Sequence, residues 1–103
     1  MESRKRKRLE AAGWRVGTVQ EFLGLNEAES AYAETKLRLA KALAERRARR
    51  KLTQVNAAKM LKSSQSRVAK MEAADASVSA DLLIRALFRL GATPREVAKA
   101  IAG

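Results

Sequence analysis

The segment LTQVNAAKMLKSSQSRVAKME, residues 52–72, starts a helix, stops it and starts another. Thr53 is an N-cap type of residue ahead of a run to Leu61, from which Val55, Ala58 and Leu61 are expected to point inward. Lys62 and Ser63 break the pattern, and a second helix is expected from about Ser64 to Ala73 with Val68 and Met71 inward. Two helices this short, joined by about three residues, cannot overlap usefully as an antiparallel hairpin. They must cross steeply, and the small inward Ala57 and Ala58 permit that close approach. The remainder of the chain therefore has to supply a helical scaffold on which a crossed pair can rest.

Such a scaffold is legible on both sides. Asn26 followed by Glu29 is a capping signal, and nothing from there to Arg50 breaks a helix; Tyr32, Leu39, Ala40 and Leu43 recur at helical spacing as its core stripe. Ser79 can cap a helix with Asp81 in its first turn and a face of Leu82, Leu83, Ala86, Leu87 and Leu90, ended by Gly91. Thr93, Pro94 and Glu96 mark one further start, with Pro94 at the first helical position and Glu96 at capping-box spacing. Ala and Leu dominate, aromatics are 4% of the chain and there is one Pro, the composition of an all-α protein. Five substantial helices with short links are expected, a bundle occupying residues 26–103.

The first 25 residues differ in kind. Residues 1–8, MESRKRKR, are dense in like charge and read as a mobile arm, either a solvated tail or a phosphate-contacting one. Residues 9–25 place Leu9, Trp14, Val16, Val19, Phe22, Leu23 and Leu25 between Gly13, Gly17 and Gly24, a Gly-punctuated extension in which Thr18 and Glu21 have the spacing to start a single helical turn.

Charge narrows the function. The formal net charge is +11, with no Cys and no His. Disulfides, thiolate or imidazole metal sites and the usual general base for a Ser nucleophile are thereby removed, and Ser63 and Ser64 have no base beside them. Neither an enzyme, a metal site nor a cofactor is expected. No apolar stretch approaches the roughly 20 residues that span a bilayer, so a cytoplasmic location is expected with no membrane anchor. A field this positive attracts polyanions, nucleic acid first and an acidic membrane surface second. The charge is partitioned: residues 9–36 carry two basic side chains against five acidic, whereas residues 37–72 carry eleven against two, a net of +9.

The crossed pair lies inside that basic third, and crossed short helices are helix-turn-helix geometry. The second helix then projects Ser64, Gln65, Ser66, Arg67 and Lys70 outward, where a major groove about 12 Å wide accepts the front of one helix. Gln can pair with adenine N6 and N7, Arg and Lys donate to guanine O6 and N7, and Ser approaches bases or phosphate. Thr53 and Gln54, at the start of the first short helix, should face a phosphate, with Gln54 bracing Gln65. The run ERRARRK before them complements a helix dipole, which accounts for only part of its charge; Arg49, Arg50 and Lys51 are taken as backbone-contacting or supporting residues. A basic helical protein binding RNA or any polyanion is the alternative from another class, and the scarcity of aromatics for stacking counts against it.

The phrases LTQ, AKMLKSSQSRVAKME and SVSADLLIRALFRLG resemble the Xre/Cro class of helix-turn-helix regulators over residues 36–91. The resemblance implies a lambda-repressor-like fold, base reading by Gln65, Ser66 and Lys70, and phosphate or supporting roles for Thr53, Gln54, Ser64 and Arg67. It gives Glu72 a structural role. Lys62 stands where the turn commonly has Gly, Ala74 where Gly often ends the second helix, and Asn56 with Ala57 replace a common Glu-Leu pair. If Lys62 must adopt positive φ, it bears a modest cost. The family resemblance further implies a repressor and a homodimer on palindromic double-stranded DNA, since two half-sites lie about 34 Å apart. Leu87, Phe88, Leu90, Val97 and Ile101 are the expected dimer contacts. The stretch RLEAAGWRVGTVQEFLGL is similar to the extension of HigA-like antitoxins, which bind a small basic RelE/HigB-like toxin and autoregulate their operon; the acidic, partly apolar segment would suit such a partner.

Overall fold

A computed structural model describes residues 26–103. The readings for residues 1–8 and 9–25, including the single turn at Thr18 and the apolar set around Trp14, lie outside the described residues. The described chain forms α1 (Glu27–Arg49), α2 (Gln54–Met60), α3 (Gln65–Glu72), α4 (Ala80–Arg89) and α5 (Pro94–Ala102), with no strand among the described residues. Residues 34–103 pack as one compact unit. The first turns of α1, to Ala33, fall outside that unit; there Asn26 Oδ1 accepts from the Glu29 N–H at 2.8 Å.

Each later helix begins as its sequence dictates. Thr53, Ser64, Ser79 and Thr93 are N-caps in extended conformation, and each side chain accepts from the backbone N–H three residues on. At α5 the capping box is complete, because the Glu96 carboxylate also accepts from the Thr93 N–H at 3.0 Å. Helix ends are equally uniform. Behind α1, α2, α3 and α4, the residues Lys51, Lys62, Ala74 and Gly91 adopt positive φ, at 56°, 52°, 53° and 93°. In each case that residue's N–H bonds three residues back and the following N–H bonds five residues back, the paired pattern that satisfies orphan carbonyls. Only the last of the four uses the residue type that enters this region without a steric cost.

One core holds the scaffold. Leu39, Ala40 and Leu43 of α1 meet Met71 of α3, Val78 of the following loop, Leu83, Ala86 and Leu87 of α4, Leu90 and Val97 of α5. Ala57, Ala58 and Val68 are buried where α2 crosses α3. Three expectations fail here, each for a geometric reason. Val55 is 51% exposed: at about 100° per residue the series 55, 58, 61 rotates about 120° over its length, so Val55 sits at the edge of a stripe built from Ala57, Ala58 and Leu61. Tyr32 is on the side of α1 that carries Leu39, but it precedes the compact unit and is 51% exposed. Of the C-terminal residues proposed for a dimer contact, Leu87, Leu90 and Val97 are consumed within the protomer core, Ile101 is half-buried, and Phe88 is the exposed one.

The basic end of α1 is mostly internal wiring. Arg46 pairs with Glu96, Arg50 Nη1 donates to the Leu90 carbonyl at 3.0 Å, and Arg38 Nη1 donates to the Ile101 carbonyl at 3.1 Å. Guanidinium groups thus satisfy the carbonyl ends of α4 and α5, which fixes both helices on α1.

Two outcomes test this account of the fold. Lys62→Gly and Ala74→Gly should each raise stability in urea unfolding by about 0.5–1 kcal/mol, because Gly removes the positive-φ penalty where the helix has already ended. Acid acts through the caps. The Thr93 N–H, then its hydroxyl and the nearby Arg46 and Arg49, hold the Glu96 carboxyl below its ordinary value, and the Ser77 hydroxyl and N–H do the same for Asp75. A depressed folded-state value gives stability that is present above the ordinary carboxylate range and lost as pH falls through and below it. The stability difference between the protein and its Glu96→Gln variant should therefore narrow on acidification below that range.

Candidate nucleic-acid interface

The front of α3 is set by its burial pattern. Val68 and Met71 are 1% and 2% exposed and fix the inward side. At about 100° per residue, Gln65, Ser66, Ala69 and Lys70 then share the outward side, while Arg67 lies on one flank and Glu72 on the other. Gln65, Ser66, Arg67 and Lys70 are exposed, and Ser64, also exposed, spends its hydroxyl on the Arg67 N–H at 3.2 Å. Polar residues stand out from this helix because its two buried side chains suffice to hold it and α2 blocks the other side.

Gln65 does not stand alone. Its Nε2 donates to Gln54 Oε1 at 2.7 Å, and Gln54 Nε2 donates to Glu72 Oε1 at 3.2 Å. Glu72 in turn accepts from Arg47 through two bonds, Nε at 2.5 Å and Nη2 at 3.1 Å, and Arg47 Nη1 donates to the Leu52 carbonyl at 2.9 Å. Four side chains from α1, α2 and α3 form one relay.

The relay has a direction that chemistry imposes. A carboxylate only accepts, so Gln54 must turn its NH₂ toward Glu72, which leaves its oxygen toward Gln65. Gln65 must then offer an N–H to Gln54. Its own Oε1 and second N–H remain free at the exposed front of α3. The pair at the root is partly buried, with side-chain exposures of 22% for Arg47 and 10% for Glu72. The hydrogen bond to Glu72 first, and its charge besides, raise the Arg47 pKa, against a smaller effect of burial, so the guanidinium is a permanent anchor.

The sequence-derived residues fall into three groups. Thr53, Gln54, Ser64, Gln65, Ser66, Arg67 and Lys70 gather around the start of α2 and the front of α3. Thr53 Oγ1 is occupied as a cap by the Asn56 N–H at 3.0 Å. Lys51 is exposed at the positive-φ position between α1 and α2, and Arg50 is turned to the Leu90 carbonyl. Arg49 is not brought to the others: two residues from Arg47 on the helix, about 200° around it, it lies near Glu96 on the side away from α3. Sequence reasoning passed over Arg47, whose signal was a cationic run longer than a helix dipole needs, and Ala69, which the spacing of four from Gln65 puts on the outward side.

Among the described residues no group of acidic side chains is arranged to hold a metal ion, and no helix is long and apolar enough to cross a membrane. No curated protein and no solved structure matches the chain. A family model described as a helix-turn-helix domain matches residues 21–94, which include the crossed pair, its turn and the helix that follows. With the match spanning most of its length, the chain belongs to the helix-turn-helix domain family, a class of DNA-binding regulators.

Proposed function

We propose that the protein is a sequence-specific transcriptional repressor of the Xre/Cro type that lays α3 in the major groove of duplex DNA. The observation that carries this reading is the braced Gln65 at an exposed helix front. Adenine presents an acceptor at N7 and a donor at N6, and the two groups that Gln65 keeps free, one N–H and Oε1, are the complementary set. A mobile Gln would lose side-chain freedom on pairing; this one has already lost it to Gln54. Ser66 and Lys70 share its side of the helix and complete the base-reading set, Lys70 as a donor to guanine. Ala69 offers a methyl group on the same side.

Backbone contacts fall to the periphery of that surface. Thr53 and Gln54, with the free N–H groups at the start of α2, Ser64 and Arg67 at the start of α3, and Lys51 before α2 are the phosphate-facing groups. Arg50 supports from behind through α4, and Arg49 is left to another face. The protein acts as a homodimer on an inverted repeat, with the exposed Phe88 as the apolar residue available for the partner copy. The antitoxin reading rests on residues 9–25 and on the acidic stretch that continues through Glu27, Glu29 and Glu34, and would add a basic toxin as second partner.

Selection of bound sites from random duplex DNA should enrich an inverted repeat with an invariant adenine in each half. Gln65→Ala should cost about 1–3 kcal/mol on that site and erase the preference at that position, and Lys70→Ala should do the same at another. Arg67→Ala should weaken all sequences alike and reduce the salt slope by about 1. Recovery of no motif, with equal binding to every duplex, would contradict the proposal.

A further inference from the structure

The C-terminal helix does not close onto α1 along its whole length. Arg46–Glu96 ties the start of α5 to α1, and Arg38 ties its end through the Ile101 carbonyl. Between these two ties lies an open groove of about 620 Å³. Beside the two ties it is lined by the small residues Ala42, Ala100 and Gly103 and by the charged Lys41, Glu45, Arg49 and Lys99. A separate pit of about 50 Å³ shares Ala42 and Ala100 with it and is lined by Leu87 and Val97 together with the charged Arg46, Arg49 and Glu96. Protein interiors close-pack, so two helices tied at both ends but not filled between them leave a surface groove open to a partner.

We propose that this groove docks an acidic helical segment of a partner protein. Small residues on both walls let a third helix approach closely, as in helix-in-groove recognition. Lys41, Arg49 and Lys99 make no ion pair within 4.0 Å among the described residues; Glu96 lies near Arg49 alone, which leaves the two lysines to attract carboxylates. Glu45 lies between Lys41 and Arg49, four residues from each along α1, so the lining alternates in sign. A uniform polyanion meets repulsion at Glu45, whereas a peptide with acidic side chains around one basic residue matches that alternation.

The location separates this surface from the DNA-reading one. Glu45 and Arg49 each stand two residues from Arg47, about 200° around α1, and Arg47 faces α3 through Glu72. The groove therefore stays open on the DNA-bound protein, and the partner joins the complex without displacing the duplex.

A titration of the isotope-labelled full chain, followed by amide shifts, tests this with an alanine-based helical peptide carrying Glu on two sides of a small-residue face and one central Lys. Shifts should be confined to residues around Lys41–Glu45 and Lys99–Gly103, leave residues 64–70 unmoved, and recur when the protein is bound to its selected duplex. Ala100→Leu, which fills the groove without changing charge, and Lys99→Gln should each weaken the peptide by about tenfold or more. Ala98→Leu, on the exposed side of α5, should not. Should inorganic polyphosphate reproduce the groove shifts, should the peptide move residues 64–70 instead, or should both groove variants bind at full strength, the proposal is overturned.

Discussion

The two-bond contact between Arg47 and Glu72 is the interaction on which the rest of the reading surface depends. It joins the end of the long helix to the end of α3 in a place that is only partly wet. Desolvating both groups offsets much of their attraction, so the pair is better understood as fixing an orientation than as a large source of stability. What it orients is consequential. Because Glu72 can only accept, Gln54 and then Gln65 are left with one sensible amide arrangement, and the front of α3 presents a defined donor and acceptor rather than a rotating amide.

The same helix explains why a chain this basic is not simply coated with charge. Arg38, Arg46 and Arg47 of α1 and Arg50 just past its end each reach a different part of the bundle: the end of α5, its start, the end of α3 and the end of α4. Their planar multi-donor groups satisfy helix-end carbonyls and carboxylates that would otherwise be orphaned. Among the cations left outward, Lys51, Lys62, Arg67 and Lys70 surround the crossed helices, while Lys41, Arg49 and Lys99 line the groove on the other side of α1. One basic composition thus serves a scaffold and two surfaces, and net charge alone does not distinguish them.

Local chemistry was legible in the sequence and tertiary wiring was not. Thr53, Ser79 and Thr93 announced three of the later helix starts because a cap is decided within four residues, whereas Ser64, expected as the first helical residue, is the cap of its helix. The bracing of Gln65 by Gln54 followed from the crossing of two short helices, and the structural role of Glu72 from a family resemblance. Val55 misled because a spacing of three drifts around a helix, and Tyr32 because periodicity does not say where a core ends. Arg47 was one Arg in a run of similar residues, and only the folded chain shows which guanidinium faces which acceptor. The groove between α1 and α5 has no sequence signature at all, since it is defined by the side chains that do not fill it.

The most direct test of the relay is a double-mutant cycle between Arg47→Met and Gln65→Ala, read as affinity for the selected duplex. Arg47 sits at the far end of the relay, behind Gln54 and Glu72, and its mutation should reach the bases only through Gln65. The account predicts strong non-additivity, a coupling of about 1 kcal/mol or more, with Arg47→Met costing little once Gln65 is gone. Losses that add within about 0.3–0.5 kcal/mol would show that Gln65 reads its base without the brace, and would contradict the account.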